Sequence, residues 1–100
     1  MTITREHLLA EVRRLIQDGL HGRDADVYLY GSWAQGTPRQ SSDVDIGVDS
    51  KAPLPSGLLA RLREQLEESH VPYRVEIIDL SAVDPRFRKT VIQHGIRWNG

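Results

Sequence analysis

The chain has 100 residues, enough for one compact domain, because a second independent core would leave each half too little apolar surface to bury. Thirteen basic residues against fourteen acidic ones give a formal net charge of -1, which argues against binding nucleic acid mainly through its phosphates. Disulfides and thiolate metal sites are excluded because there is no cysteine, and the apolar runs are too short to cross a membrane. The N-terminal stretch MTITREHLLAEVRR has no apolar region typical of a signal peptide, so we expect one cytoplasmic domain over residues 1–100.

The N-terminal segment has the periodicity of an amphipathic helix. Over residues 4–20, apolar side chains recur every three or four positions, as they do on the buried stripe of a helix. Thr4 is a suitable N-cap, and Gly19 or Gly22 is a suitable end. The pattern predicts that the chain begins with a helix packed along one side.

Two strands are predicted next. VYLYGS at residues 27–32 is β-branched and aromatic and contains a glycine, which is typical of a strand that runs into a turn. In DVDIGV at residues 43–48, Asp43 and Asp45 alternate with aliphatic residues. Because side chains alternate across a strand, this places both carboxylates on one face and the aliphatic residues on the other.

The loop KAPLPSG separates these strands from a second predicted helix. Ser56 is a suitable N-cap for this helix. Its buried stripe is predicted to consist of leucines, namely Leu58, Leu59, Leu62 and Leu66.

The last third of the chain predicts a strand, a helix and a short edge strand. In YRVEIIDL, one face carries Tyr73, Val75 and Ile77, and the other carries Arg74, Glu76 and Ile78. Asp84 followed by Pro85 is typical of an N-cap and a first helical residue, and this helix is expected to end near Gly95. The element order predicts an α/β (α+β) fold with a small mixed sheet of three to four strands flanked by helices.

The most specific motif is a Gly-Ser pair at residues 31–32, followed after ten residues by Asp43-x-Asp45. GSWAQGTPRQSSDVDIGV resembles the GS-x-A-x-G-T…SD-x-D block of the minimal nucleotidyltransferases, which belong to the polymerase-beta-like nucleotidyltransferase superfamily. YRVEIIDLSAVDPRFRKTVIQHG resembles the third strand and last helix of that family, so the resemblance extends from Val27 to Trp98. It implies the nucleotidyltransferase fold and the transfer of a nucleoside monophosphate from a nucleoside triphosphate (NTP).

The chemistry explains why these residue types are needed. Nucleotidyl transfer is an in-line displacement at the α-phosphorus, and two divalent cations about 3.5 to 4 Å apart are well suited to manage its charge. Asp43 and Asp45 are expected to ligate Mg²⁺, which prefers hard oxygen ligands. Gly31 lets the backbone approach the phosphates, and Ser32 offers a hydroxyl and exposed amides. Taken separately, the Gly-Ser pair is as consistent with an ordinary turn, and the aspartates with a solvated sheet face.

The resemblance also implies a third carboxylate, a metal ligand and base for the acceptor hydroxyl, at Glu76. The family usually has aspartate there, and the extra methylene of glutamate moves the carboxylate by about 1.5 Å. Asp79 is a rival but would point to the opposite face of the strand. Trp33 and Gln35 occupy positions where the family often has basic residues. Arg39 stands where the family commonly has arginine, so the resemblance makes it the candidate for binding the triphosphate, and an exposed loop arginine is the alternative.

The resemblance implies cofactors and a partner as well. The cofactors are Mg²⁺, with two ions expected, and ATP or another NTP as co-substrate. Minimal nucleotidyltransferases commonly act beside a HEPN-domain protein as the antitoxin of a toxin–antitoxin pair, and members can attach AMP to a tyrosine of the toxin. We therefore expect a Mg²⁺-dependent enzyme that modifies a tyrosine or other hydroxyl of a HEPN-type partner and forms an oligomer with it. Nucleic acid is not the expected substrate.

The alternative is a non-catalytic antitoxin that keeps the nucleotidyltransferase fold and only binds its partner. Glu76, Trp33 and Gln35 are the departures from the family pattern that leave this alternative open.

Overall fold

The helices and strands follow one another in the order that the sequence predicts. The computed structural model of the protein describes residues 4–36 and 43–98. In chain order the elements are α1 (Arg5–Gly19), β1 (Ala25–Tyr30), a 3₁₀ turn (Gly31–Trp33), β2 (Val44–Ser50), α2 (Leu58–Glu68), β3 (Val75–Asp79), α3 (Pro85–His94) and β4 (Ile96–Arg97). We call the 3₁₀ segment Gly31–Trp33 the GS turn. None of the helices in the described ranges is long and apolar enough to cross a membrane.

The four strands form one mixed sheet in the order β3-β2-β1-β4. Strand β1 pairs antiparallel with both β2 and β4, whereas β2 and β3 pair in parallel. Parallel neighbours need a crossover connection, and α2 is the helix that the chain places between β2 and β3. The prediction of a small mixed sheet of three to four strands flanked by helices is confirmed.

The main core lies between one face of the sheet and helices α1 and α2. The sheet contributes every second residue of its three longer strands, as the alternating pattern predicts: Val27, Leu29, Val44, Ile46, Val48, Val75 and Ile77. The helices contribute Val12, Ile16, Leu62 and Leu66. Helices α1 and α2 also approach each other so closely that a Cβ atom at Gly19 would collide with the side chain of Leu62.

The opposite face of the sheet is only partly covered. A smaller cluster of Tyr28, Leu80 and Val91 attaches α3 to it, and Arg88 of α3 forms an ion pair of 2.9 Å with Asp49. Asp45 and Glu76 lie on this second face and remain half-buried. The fold therefore leaves one end of a sheet face accessible beside the GS turn.

The helix ends confirm two predicted caps and correct a third. The Thr4 side chain accepts a hydrogen bond from the backbone N–H of His7, and Asp84 accepts one from Arg86, with Pro85 as the first helical residue. Ser56, however, is not the N-cap of α2. That position is held by Gly57, whose φ of 83° lies in the left-handed region that glycine adopts without strain, so the helix begins one residue later than expected.

Candidate active site

The candidate site lies where three adjacent strands bring polar residues into one row. Tyr30 pairs with Asp45 across β1 and β2, and Asp45 pairs with Glu76 across β2 and β3. Directly paired residues point to the same side of a sheet, so these three side chains share the face that carries α3. Asp43 lies just before β2, two residues from Asp45. Glu76, which the resemblance implies as the third carboxylate, therefore lies beside Asp45.

The GS turn begins directly against the Asp45 carboxylate. Gly31 has a φ of 75°, a conformation that disfavours any residue with a Cβ atom, and a Cβ there would lie 2.5 Å from Asp45 Oδ2. Both the backbone conformation and the available space therefore require glycine. Ser32 follows, half-buried, within the turn. This arrangement brings a stretch of main chain up to the carboxylates without a side chain between them.

The acidic groups are close enough to disturb one another. Partial burial raises the pKa of the Asp45 carboxyl, and the negative charges of Asp43 and Glu76 raise it further. Burial, together with the charges of Asp45 and Glu76, raises the pKa of Tyr30 to about 12. Tyr30 therefore remains a neutral hydroxyl at physiological pH. A site of this kind favours a ligand that brings positive charge.

Glu76 is engaged by a neighbouring arginine. Its Oε1 atom accepts a hydrogen bond of 3.1 Å from Arg74 Nε and forms an ion pair with Arg74 Nη2 at 3.0 Å. The Arg74 side chain is 75% exposed, and exposed ion pairs contribute little free energy, so this pair can be exchanged readily for another partner. In the part of the chain that the structure describes, no three acidic or histidine side chains already form a metal-binding cluster.

The residues present nevertheless suit Mg²⁺. Asp43, Asp45 and Glu76 offer the hard carboxylate oxygens that this ion prefers. Partial burial, followed by the negative charges of Asp43 and Glu76, raises the pKa of Asp45, and a bound cation would stabilise its charged form against both effects. The set matches the three carboxylates that the sequence predicts as metal ligands, and their role remains a prediction.

The other predicted residues are distributed around the site. Asp79 accepts hydrogen bonds from the Ser81 backbone N–H and hydroxyl, so it serves the turn after β3. Gln35 is exposed just beyond the GS turn. Arg39, the predicted triphosphate ligand, lies outside the described residues, and its role remains a prediction.

Trp33 has a structural environment that the sequence did not indicate. It is only 7% exposed and belongs to the main core. Its ring meets Tyr73 edge-on with centroids 4.7 Å apart, and the Arg5 guanidinium lies 5.5 Å from the ring centroid. Trp33 therefore anchors the GS turn to α1 and to the segment that leads into β3. Its departure from the basic residue common in the family serves packing.

Sequence reasoning also overlooked Tyr30 and Arg74 as members of the site. The sequence predicts Tyr30 only as an aromatic strand residue, and Arg74 only as a strand residue on the same face as Glu76. Tyr30 belongs to the site because it pairs with Asp45 across the sheet, and Arg74 belongs to it because it forms an ion pair with Glu76. The signal in the sequence for this contact is that Arg74 and Glu76 are two residues apart and therefore lie on the same face of the predicted strand.

We expect Asp45→Asn to stabilise the metal-free fold at neutral pH. Folding raises the pKa of Asp45, so the charged carboxylate destabilises the native state. This penalty is full above the folded pKa, shrinks as the pH falls through the folded pKa, and is absent below the unfolded pKa. Thermal unfolding in EDTA should therefore give a higher Tm for the variant at pH 7, with a difference that shrinks towards pH 4. Asp49→Asn is the matched control and should give no gain, because Asp49 is paired with Arg88. A difference that widened on acidification would contradict this electrostatic account.

Comparison with known proteins identifies the family of the chain. The sequence matches the polymerase beta nucleotidyltransferase family over residues 25–97. It is 31% identical over 83 residues to "Probable protein adenylyltransferase MntA" of Haemophilus influenzae, covering 83% of this chain and 71% of that protein. The fold is similar to that of a chain in a crystal structure of a toxin–antitoxin complex with AMP-PNP (TM-score 0.75, 25% identity, 97% of this chain and 74% of that one). It is also similar to a minimal nucleotidyltransferase (TM-score 0.72, 29% identity, 94% of this chain and 95% of that one). The chain therefore belongs to the polymerase beta nucleotidyltransferase family.

Proposed function

We propose that this nucleotidyltransferase moves AMP from ATP to a hydroxyl of a protein partner in a Mg²⁺-dependent reaction. The observation that carries the proposal is the row of Asp45 and Glu76 across β2 and β3, with Asp43 nearby and Gly31 directly against Asp45. Carboxylates on adjacent strands beside an open stretch of main chain suit the binding of a metal-bound triphosphate. Another NTP in place of ATP would use the same arrangement.

Each residue has a distinct part in the proposed reaction. Gly31 admits the triphosphate to the main chain of the GS turn, and Ser32 donates to it. Asp43, Asp45 and Glu76 would hold Mg²⁺, which when bound neutralises phosphate charge and polarises the α-phosphoryl group. Arg39 remains the proposed contact for the outer phosphates.

The chemical step is a displacement at the α-phosphorus. The acceptor oxygen forms a bond to the α-phosphorus while the bond to the bridging oxygen of the β-phosphate breaks, and pyrophosphate leaves. The acceptor proton passes to Glu76, which lies on the β3 side of Asp45. A positioned base of this kind contributes about 10² to 10⁴ in rate.

The proposed acceptor is a tyrosine or other hydroxyl on a HEPN-type toxin, which would make this chain a cytoplasmic antitoxin that assembles with its target. Two relatives support this view, since one is named a protein adenylyltransferase and the other is part of a toxin–antitoxin complex with AMP-PNP. The near-neutral charge of the chain supports a protein acceptor over a nucleic acid.

A second candidate is a non-catalytic antitoxin. It is favoured by one observation, that Arg74 engages Glu76 in an ion pair. Such a protein would bind its partner through the same fold and transfer nothing.

Labelled ATP separates the two candidates. The protein, Mg²⁺ and the neighbouring gene product should be incubated with ATP labelled at the α-phosphate, and in parallel with ATP labelled at the γ-phosphate. We expect the α-label alone to appear on the partner, and EDTA to prevent its transfer. A stable complex that carries no label would favour the non-catalytic antitoxin, and transfer of the γ-label would contradict nucleotidyl chemistry altogether.

A further inference from the structure

A recess of about 210 Å³ opens beside the GS turn, between that turn and one side of α3. We call it the α3 groove. Its principal lining residues are Tyr30, Gly31 and Gln35 on the side of the turn and Phe87, Thr90 and His94 on the side of the helix. The mechanism described above uses only Gly31 of this set.

The apolar part of the α3 groove includes an aromatic pair. Phe87 is 41% exposed, so part of its ring is open to a ligand. Its ring meets that of Tyr30 edge-on, with centroids 5.7 Å apart and planes at 83°. Val91, which is buried, completes the apolar lining. An exposed ring held by a second ring offers a surface on which a planar group can lie.

The polar part of the groove lies beside these rings. Thr90 and His94 follow Phe87 at three and seven residues along α3, so the three share one stripe of the helix. The exposed Gln35 lines the groove from the opposite wall. Apolar walls with a few polar groups that fix orientation are the usual composition of a small-molecule site.

The size and position of the groove limit which part of a ligand it can bind. Pockets for whole ligands typically measure about 300 to 1,000 Å³, so a volume of 210 Å³ fits one ring system of a larger ligand. Gly31 belongs both to the groove and to the contact with Asp45, which joins the groove directly to the proposed phosphate site. Glu76, the proposed base for the acceptor, lies on the other side of Asp45, on β3. The groove is therefore on the side of the site away from the acceptor.

We infer that the α3 groove is the nucleobase subsite of the NTP. In this arrangement Phe87 and Tyr30 contact the faces or edges of the base, and Gln35, Thr90 and His94 lie near its polar edge. The inference rests on the proposed function and adds to it a binding site for the base, the part of the nucleotide that distinguishes one NTP from another.

The test compares a ligand that has a base with one that lacks it. Dissociation constants should be measured by calorimetry with Mg²⁺ for a non-hydrolysable ATP analogue and for inorganic tripolyphosphate. Phe87→Ala is expected to weaken binding of the ATP analogue roughly 5- to 150-fold, the usual range for losing an aromatic stacking partner. It should leave tripolyphosphate binding unchanged. Phe87→Leu, which keeps apolar bulk without a ring, should lose affinity for the ATP analogue in the same direction.

Ile96→Ala is the matched control. Ile96 is also a large exposed apolar residue, at 47%, but it lies on β4 outside the groove, so its variant should bind both ligands as the parent does. Unchanged affinity of Phe87→Ala for the ATP analogue would overturn the inference, as would an equal loss for both ligands. Unchanged affinity with a raised KM for the acceptor protein would assign the groove to the acceptor instead. These failures differ from failure of the proposed function, in which the parent itself transfers no α-label in the presence of Mg²⁺.

Discussion

Replacing Asp43 and Asp45 together by asparagine is expected to abolish nucleotidyl transfer while the fold is retained. Asparagine keeps the shape of each side chain but removes the charge that would hold Mg²⁺, so we expect a loss of at least roughly 10³-fold. The fold should persist because Asp45 lies half-buried on the sheet face opposite the main core, and its charge is itself unfavourable in the folded state.

The measurement is transfer of α-label to the partner, with circular dichroism and thermal unfolding as checks on structure. Asp49→Asn provides the matched control, since Asp49 lies on the same face of β2 but pairs with Arg88 of α3. That variant should transfer the label at nearly the parental rate. Turnover retained by the Asp43 and Asp45 double variant would refute the assignment, and so would loss of its folded spectrum.

Glu76→Gln is expected to lower transfer at least 100-fold without weakening the partner complex. The reason is that glutamine neither accepts the acceptor proton nor supplies a carboxylate to Mg²⁺, and a positioned base contributes about 10² to 10⁴. Glu76→Asp should retain or raise activity, because it restores the shorter side chain that the family pattern favours. Its position directly opposite Asp45 in the β2–β3 register allows a small shift of side chain or ion to compensate for the change in length.

Arg74→Gln distinguishes a chemical role of Glu76 from a purely structural one. This variant breaks the ion pair of 3.0 Å but leaves the Glu76 carboxylate in place. We expect it to keep most of the transfer activity that Glu76→Gln loses, and size-exclusion chromatography should show an intact partner complex for both. If both variants lose activity equally, Glu76 matters only through its pair with Arg74. An inactive parent that Glu76→Asp does not rescue would favour the non-catalytic antitoxin.

The sequence by itself determined the elements and the type of chemistry. Helix and strand periodicity depend on neighbours a few residues apart, which is why the order of residues was enough to predict α1, the leucines of α2 and the alternation in β2. Gly31, Ser32, Asp43 and Asp45 lie close in the chain, so the motif that they form was enough to show the resemblance to the minimal nucleotidyltransferases. The predicted cap at Ser56 is wrong, because Gly57 takes the N-cap position in a left-handed conformation that glycine adopts without strain, and the helix begins at Leu58.

Only the tertiary structure decided which distant residues complete the site. Asp45 and Glu76 are 31 positions apart, and their juxtaposition depends on the parallel register of β2 and β3, which core packing sets. The same holds for Tyr30 beside Asp45, for Trp33 in the core and for Phe87 against Tyr30. These contacts join segments separated by long stretches of chain, and local propensity carries no information about them. The order of residues thus indicates the family, whereas packing of the sheet and α3 defines the surroundings of the candidate site.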